Sequence, residues 1–414
     1  MNLAPACVCD HHSSAADARH SERGMALIFA LFFAIVALGI TLSGTIFVKA
    51  HHDRTSVRFA SNSQAVEFAR SGLVEAIGWY RKQTSQPVTS FSPQFAPTAT
   101  NPVYDTIEPD IGIVREFEIS GSLWGRYEVW KSWSADPDLD RRAFRAQVQC
   151  EDISDQRGNL SPGSVWRIRS IGYVFRRNDQ TARFDELPNR VVAKELTETE
   201  IRRLALQPPG QAAVCTRVAS TCRVITRGRI YGGTNASGVY TKSGTGFVSI
   251  TGTGATVTGG VGSIANYDDS MTAVFGVTLP ELQGMADLSV VNANEFPSPL
   301  PETSVVVAET DLVFDAAKPL TGTGILVVNG DVTIQPGSYS SFSGLFYVNG
   351  NLLVREPCEL QGAFVVTGTV TVQGSASDYA TVTWDDGIVA RLRQSLGTYR
   401  QATSTTRPFW GDQR

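Results

Sequence analysis

The segments GILVVNGDVTI (324–334), GLFYVNGNLLV (344–354) and GAFVVTGTVTV (362–372) are three copies of one pattern in the C-terminal part of the chain. Each copy has two short runs of β-branched and other apolar residues joined at a glycine. Repeats of this kind are typical of solenoids, in which a unit buries its apolar side chains by stacking on the next unit. The joining glycines are Gly330, Gly350 and Gly368. The pattern predicts a right-handed parallel β-helix, and a β-sandwich is the alternative because glycine-hinged strands also form hairpins.

The sequence around these copies has the same composition, rich in Gly, Thr, Val and Ser and poor in charge, from about residue 227 onward. Segments 228–233, 238–250 and 255–260 predict further coils, separated from the copies by an insertion at 263–320. We therefore expect a β-helix-like domain over 227–386, preceded by a connector at 206–226. Residues 387–414 are expected to form a C-terminal cap and tail, because the open end of a solenoid needs covering.

The middle of the chain has a different period. Apolar and polar residues alternate in several runs within 111–205, which predicts an antiparallel sheet with one solvated face. Residues 83–110 contain five prolines among Ser, Thr and Gln, which is typical of a linker. These prolines are Pro87, Pro93, Pro97, Pro102 and Pro109.

The N-terminal part predicts one long helix over 25–82. Residues 25–48 contain no charged residue, and as a helix they would extend about 36 Å, enough to cross a bilayer. Beyond them, apolar residues recur at helical spacing and form a stripe. The stripe consists of Ala65, Phe68, Ala69, Gly72, Leu73, Ala76, Ile77 and Tyr80. It suits packing on the chain's own domain, on neighbouring helices, or on both.

The run Arg23-Gly24-Met25-Ala26-Leu27-Ile28 resembles the class III signal of type IV pilins and pseudopilins, and it is similar to the start of pilus-assembly proteins with a PilX-type N-terminus. The resemblance implies that residues 1–24 are a leader, removed after Gly24 by a prepilin peptidase, which methylates Met25. An ordinary signal anchor is the other reading. Phe29 stands where most major pilins have a glutamate, and in this it resembles the tip pseudopilin of type II secretion.

The resemblance extends into the body. Residues 69–76 resemble the stem of the tip pseudopilin and of PilX-like proteins, and 163–174 resemble a strand of the same group with Trp166 at a tyrosine position. The repeat resembles the β-helical domain attached to PilX-type N-termini and, more distantly, bactofilin-like domains. The implied fold is α+β: a long pilin-like helix, an antiparallel sheet domain and a C-terminal right-handed parallel β-helix.

Candidate chemical sites are few. The five histidines all precede Asp53, which excludes a histidine-based catalytic relay or zinc site from the body. Without the leader, four cysteines are left, and in an exported body they predict the disulfides Cys215–Cys222 and Cys150–Cys358, with free buried thiols as the alternative. A four-cysteine zinc site is disfavoured, because the sequence has no CxxC spacing.

Acidic residues offer two further candidates. Asp136, Asp138 and Asp140 are spaced as in a calcium loop. Arg141 at the sixth position and Gln147 at the twelfth depart from such a loop and favour a solvated acidic turn. Asp152 with Asp155, and Asp385 with Asp386, are spaced too closely in sequence to face each other across a substrate. We expect no resident metal or cofactor and no catalytic residue.

These observations favour a non-enzymatic minor pilin or pseudopilin-like protein, at or near the tip of a type IV pilus or a type II secretion pseudopilus. Its role would be assembly priming or adhesion. The expected partners are other pilins through the N-terminal helix, the peptidase, the bacterial inner membrane and a surface or adhesin partner, with the body facing the periplasm. The net charge of −4 argues against nucleic acid. The alternatives are a membrane-anchored β-helix enzyme acting on polysaccharide and a bactofilin-like polymer.

Overall fold

The structure is a computed structural model that describes residues 15–93, 110–132, 146–158, 161–402 and 406–408. The chain divides into two compact units, Met1–Gln64 and Ala65–Arg414. Helix α1 (Ala15–Lys82) supplies the described part of the first unit and continues into the second. The second unit adds an antiparallel sheet and two parallel sheets. The predicted α+β class is confirmed.

The antiparallel sheet follows the helix, as the alternating runs predict. Its order is β1-β2-β4-β5-β23, with β3 beside β4 and β24 beside β5. Its strands are β1 (Ile111–Ser120), β2 (Leu123–Trp130), β3 (Glu151–Asp152), β4 (Val165–Arg176), β5 (Arg190–Arg203), β23 (Tyr399–Gln401) and β24 (Arg407–Pro408). The last two strands come from the C-terminal end, so the sheet combines segments that precede and follow the parallel strands.

The helix lies against the sheet at very short range. A Cβ atom added to Gly172 of β4 would lie 1.9 Å from the carbonyl oxygen of Ala65, and one added to Gly72 would lie 2.2 Å from Oγ of Ser170. Ala65, Ala69 and Gly72 are the small residues of the predicted stripe, and they are buried here. The helix therefore approaches the sheet backbone because neither surface has a large side chain at the contact.

The parallel part of the body contains short strands from 212 to 383. The first set is β6 (Ala212–Thr216), β7 (Cys222–Ile225), β8 (Gly228–Tyr231), β9 (Ser237–Lys242), β10 (Ser249–Thr251), β11 (Thr256–Thr258) and β12 (Val261–Ile264). Helices α2 (Met271–Phe275) and α3 (Leu279–Gln283) follow. The second set is β13 (Leu288–Val290), β14 (Ser304–Ala308), β15 (Leu312–Phe314), β16 (Thr321–Val328), β17 (Val332–Ile334), β18 (Ser340–Val348), β19 (Leu352–Arg355), β20 (Cys358–Val366), β21 (Val370–Gln373) and β22 (Ala380–Thr383). Helix α4 (Asp386–Ser395) ends the series.

The chain alternates between the two parallel sheets as the repeats predict. β16, β18 and β20 are neighbours in one sheet, and β17, β19 and β21 are neighbours in the other. Pairing is in register with the repeats, since Gly324 lies opposite Gly344 and Gly344 lies opposite Gly362. Apolar residues of successive copies therefore stack on one another, as Phe346 does on Phe364, with ring centroids 5.9 Å apart.

The long strands bend at the first glycine of each repeat. Residues 358–361 of β20 pair with β22, whereas residues 364–366 pair with β6. The two halves of β20 therefore have different neighbouring strands. A Cβ atom on Gly344 would lie 1.9 Å from the carbonyl oxygen of Gly324, and one on Gly362 would lie 2.0 Å from that of Gly344. The column Gly324–Gly344–Gly362 is thus the corner at which successive turns of the chain touch through backbone alone.

The second corner, at the joining glycines, carries a ladder of polar side chains. The amide of Asn349 donates to Oδ1 of Asn329 at 2.8 Å, and the backbone N–H of Asn351 donates to Oδ1 of Asp331 at 2.8 Å. The backbone N–H of Thr369 continues the ladder by donating to Oδ1 of Asn351 at 2.9 Å. These bonds provide partners for polar groups of the turns that form no hydrogen bond with a neighbouring strand.

The order of stacking differs from the order in sequence. The segment predicted as an insertion, 263–320, contains β13, β14 and β15, and β14 pairs with β16 as a full member of the stack. The strands at 212–231 stack beyond the last repeat, where β7 pairs with β21 and β8 with β22. The prediction of an insertion is therefore wrong for 304–314. These strands pair in the same register as the three copies, but they lack the joining glycine that marks the copies in the sequence.

Helix α4 lies beside the stack. It packs on β18 and β20, strands from the middle of their sheet, through Ile388, Val389 and Leu392, all of which are buried. Residues 387–414 are expected to cover the open end of the stack, but those in α4 cover its side.

We predict that Gly344→Ala lowers the stability of the body because the added methyl group overlaps a carbonyl oxygen of the adjacent turn. Overpacking of this kind costs about 1–3 kcal/mol, which corresponds to a decrease of roughly 1–4 °C in the melting temperature of a unit as large as Ala65–Arg414. Differential scanning fluorimetry measures it.

Gly78→Ala is the matched control. An added Cβ at Gly78 meets nothing within 4 Å, and alanine favours a helix over glycine, so its melting temperature should stay level or rise. Equal destabilisation by both variants would contradict the proposed role of the glycine column.

Candidate functional site

The first candidate site is the apolar part of α1. Leu27–His52 has a mean hydropathy of 2.5, and none of this window is buried. By length and composition it is able to span a membrane, although a signal sequence near an N-terminus has the same properties. Large apolar side chains project from every side of it, among them Leu31, Phe33 and Leu38, each 61–67% exposed.

The two threonine hydroxyls of this segment are satisfied within the helix. The hydroxyl of Thr41 donates to the carbonyl oxygens of Ala37 and Leu38 at 3.0 and 2.9 Å, and that of Thr45 donates to the carbonyl of Leu42 at 2.9 Å. In a medium without water, every such donor needs an internal partner. The segment is therefore chemically suited to lipid or to the apolar faces of other helices.

The predicted processing residues Gly24 and Met25 lie within α1, and their side chains are outside the part that the structure describes. Phe29 is 57% exposed. The helix thus presents an aromatic ring at the position where the resemblance to pilins would imply a glutamate.

The amphipathic part of α1 uses its apolar stripe on its own sheet. Leu73, Ile77 and Tyr80 are at most 6% exposed, and Tyr80 stacks on Phe91 with ring centroids 5.2 Å apart. On the flank, Glu75 accepts a hydrogen bond from Tyr127 at 2.7 Å. Since this stripe is buried within the unit, the exposed apolar residues that precede it are the ones available to other helices.

The glutamate contact also changes the acid–base behaviour of its partner. Burial, followed by the hydrogen bond and negative charge of Glu75, raises the pKa of Tyr127 well above its ordinary value. Arg115 forms the other half of the contact, with Nη2 2.6 Å from Oε1 of Glu75. The group is a structural clamp between helix and sheet, because all three side chains bind one another.

The four cysteines of the body are free, buried thiols. Cys150 lies in the core beneath the antiparallel sheet, whereas Cys358 lies in the core of the parallel sheets, so the predicted pair Cys150–Cys358 is not formed. Cys215 and Cys222 lie on strands of different parallel sheets, and Cys215 donates to the carbonyl of Gly210 at 3.4 Å. The predicted pair Cys215–Cys222 is not formed either.

The acidic candidates have structural roles where they are described. Asp152 accepts bonds from the backbone N–H of Gly163 at 2.6 Å and of Ser154 at 3.0 Å. Asp385 caps α4 by accepting from the N–H of Ile388 at 2.9 Å, and Asp386 accepts from the indole of Trp384. The calcium candidates Asp136, Asp138 and Asp140 lie outside the described residues. Within the described ranges, no three His, Cys, Asp or Glu side chains form a group able to hold a metal.

The position of residues 249–264 at the end of the stack was not predicted from the sequence. These residues were expected to form coils, but their place as the outermost strands depends on the reversed stacking order. The available signal was compositional, since 243–267 contains no charged residue and no proline.

No protein-family model matches this chain, and the search of curated proteins gives no match. Among solved structures, the chain is similar to the competence-associated pilin ComZ from Thermus thermophilus, with 12% sequence identity. The alignment covers 84% of this chain and 97% of that chain, with a TM-score of 0.24. A score of this size carries no argument for fold or function, so both rest on the residues and geometry above.

We predict that the four body thiols resist labelling in the folded chain. Burial raises the pKa of Cys150, Cys215 and Cys222 to about 12 each, and that of Cys358 in the same direction. Because only a thiolate reacts, an aromatic disulfide reagent at pH 8 should leave all four unmodified until denaturant is added.

Mass spectrometry after alkylation under denaturing conditions gives the count. Four protected but alkylatable thiols are expected. Loss of two hydrogens per pair in the unreduced chain would show disulfides and contradict the arrangement.

Proposed function

We propose that this chain is a minor pilin or pseudopilin-like structural protein, anchored in the bacterial inner membrane by its N-terminal helix. The observation that carries the proposal is the apolar segment of α1. No part of it is buried, its threonine hydroxyls bond within the helix, and the Arg23-Gly24-Met25 signal precedes it. Such a segment has two stable environments, lipid and a bundle of similar helices. Transfer from the first to the second is the physical step of pilin assembly.

The proposed partners follow from this step. A prepilin peptidase would cleave after Gly24 and methylate Met25, and other pilins would pack against residues 25–48. We place the protein at or near the tip of a type IV pilus or type II secretion pseudopilus. Phe29 supports this position, because it lacks the carboxylate that would pair with the N-terminal amine of an adjacent subunit.

We further propose that the two parallel sheets are faces of a right-handed parallel β-helix, displayed outward for assembly priming or adhesion from a body that faces the periplasm. The in-register repeats, the shared strands and the glycine column support this interpretation. We propose no enzymatic role, and the structural use of Asp152, Asp385 and Asp386 supports that choice.

The proposal predicts that Gly24→Val abolishes processing, because a peptidase of this class requires a small residue before the cleaved bond. The chain is expressed with a prepilin peptidase in a bacterial host, and its N-terminus is determined by intact mass. The wild-type chain should lose residues 1–24 and gain a methyl group on Met25, whereas Gly24→Val should retain the leader.

Gly39→Val is the matched control, since Gly39 lies in the same helix and an added Cβ meets nothing within 4 Å. This variant should be processed like the wild-type chain. A wild-type chain that keeps its leader, or is cut elsewhere, would support an ordinary signal anchor and contradict the proposal.

A further inference from the structure

The strands β10, β11 and β12 form one end of the stack of parallel strands, and we call them the end coil. Each pairs on a single side: β10 with β7, β11 with β8, and β12 with β9. Within the described residues, no strand pairs with their outer edges. One turn of chain thus presents three successive rows of backbone N–H and C=O groups.

The end coil is exposed, in contrast to the turns inside the stack. Ile250, Val261 and Ile264 are 47%, 51% and 42% exposed. The nearby Phe247 is 91% exposed. In the interior strand β14, by comparison, every residue from Ser304 to Ala308 is buried. The end coil therefore combines open edges with apolar side chains.

Nothing in the sequence of the end coil protects these edges. Natural proteins blunt an open edge with charges, prolines or bulges because it is a template for further pairing. Residues 243–267 contain no charge and no proline. Because the stretch is neutral, two copies of it meet without repulsion.

The opposite end of the stack is covered by the chain itself. The ring of Phe296 packs on that of Phe314 in β15, with centroids 5.3 Å apart. Lys318 donates to the carbonyl of Ala293 at 2.8 Å, and the N–H of Leu300 donates to the carbonyl of Thr321 at 2.8 Å. Segment 293–300 thus packs over this end. Its outermost strands, β13 and β15, each contain buried residues, whereas the strands of the end coil contain none.

We propose that the end coil docks on the end coil of a second copy of this chain. A single extended peptide can pair with the backbone N–H and C=O groups of one strand edge. The three edges of β10, β11 and β12 need a partner whose strands have the same arrangement in cross-section. The chain's own end coil has that cross-section. Two identical ends meet by a two-fold axis, which makes the new strand pairs antiparallel and the interface self-complementary. Because each copy has one end coil and the two-fold contact uses both, the product is a closed dimer.

The experiment compares two valines of equal exposure. Val261 in the end coil and Val313 in β15, near the covered end, are both 51% exposed. The full chain and its Val261→Lys and Val313→Lys variants are examined by sedimentation velocity in detergent at micromolar concentration. The wild-type chain and Val313→Lys should be dimers. Val261→Lys should be a monomer with an unchanged circular dichroism spectrum.

A second variant and a second measurement make the result independent of one substitution. Ile264→Lys should also give a monomer, and hydrogen exchange of 249–264 should be at least tenfold faster in both end-coil variants than in the wild-type dimer. The dimer should persist in 0.5 M salt, because the end coil has no charge to screen.

Three outcomes would overturn the proposal. A monomeric wild-type chain with fast exchange in 249–264 would mean that the edges stay open. A monomer with slow exchange there would place another segment of this chain on the edges. Dimers that survive Val261→Lys and Ile264→Lys would locate the contact elsewhere, including at α1. None of these outcomes affects processing at Gly24, so the dimer and the proposed function are tested separately.

Discussion

The body depends on the close approach of backbone to backbone at the glycine column Gly324–Gly344–Gly362. At these corners one turn of the chain rests on the next with no room for a Cβ atom. This contact fixes the distance at which Phe346 meets Phe364 and the asparagine ladder forms. If the turns were further apart, the strand pairs and the apolar stack would be lost together, because each turn buries its side chains only against its neighbours.

The same constraint recurs where the helix meets the antiparallel sheet. Gly172 and the small residues Ala65 and Gly72 bring helix and strand into contact through backbone atoms. The sheet in turn receives β23 and β24 from the end of the chain, after all of the parallel strands. The chain therefore leaves the sheet after β5, forms the stack, and returns to the sheet at β23.

Much of this architecture follows from local pattern. The repeats predicted parallel strands in register, the alternation predicted the antiparallel sheet, and the stripe on α1 predicted its buried face, because each is set by the period of apolar residues. The reversed stacking of 212–264 was not predictable, since strand order depends on long-range pairing that no short pattern records. The disulfide prediction failed for a related reason. An even number of cysteines permits pairs, but Cys150 and Cys358 lie in two different hydrophobic cores.

We propose that the exposed apolar part of α1 is the segment that joins this chain to pilins of other sequence. A photo-crosslinking residue at Phe33, 67% exposed, tests it directly, with the same residue at Tyr339, 75% exposed, as the body control. In cells that assemble pili, the probe at position 33 should crosslink to small membrane proteins with similar N-terminal helices, and the probe at 339 should not. Crosslinks to pilins from position 339 alone would contradict the claim.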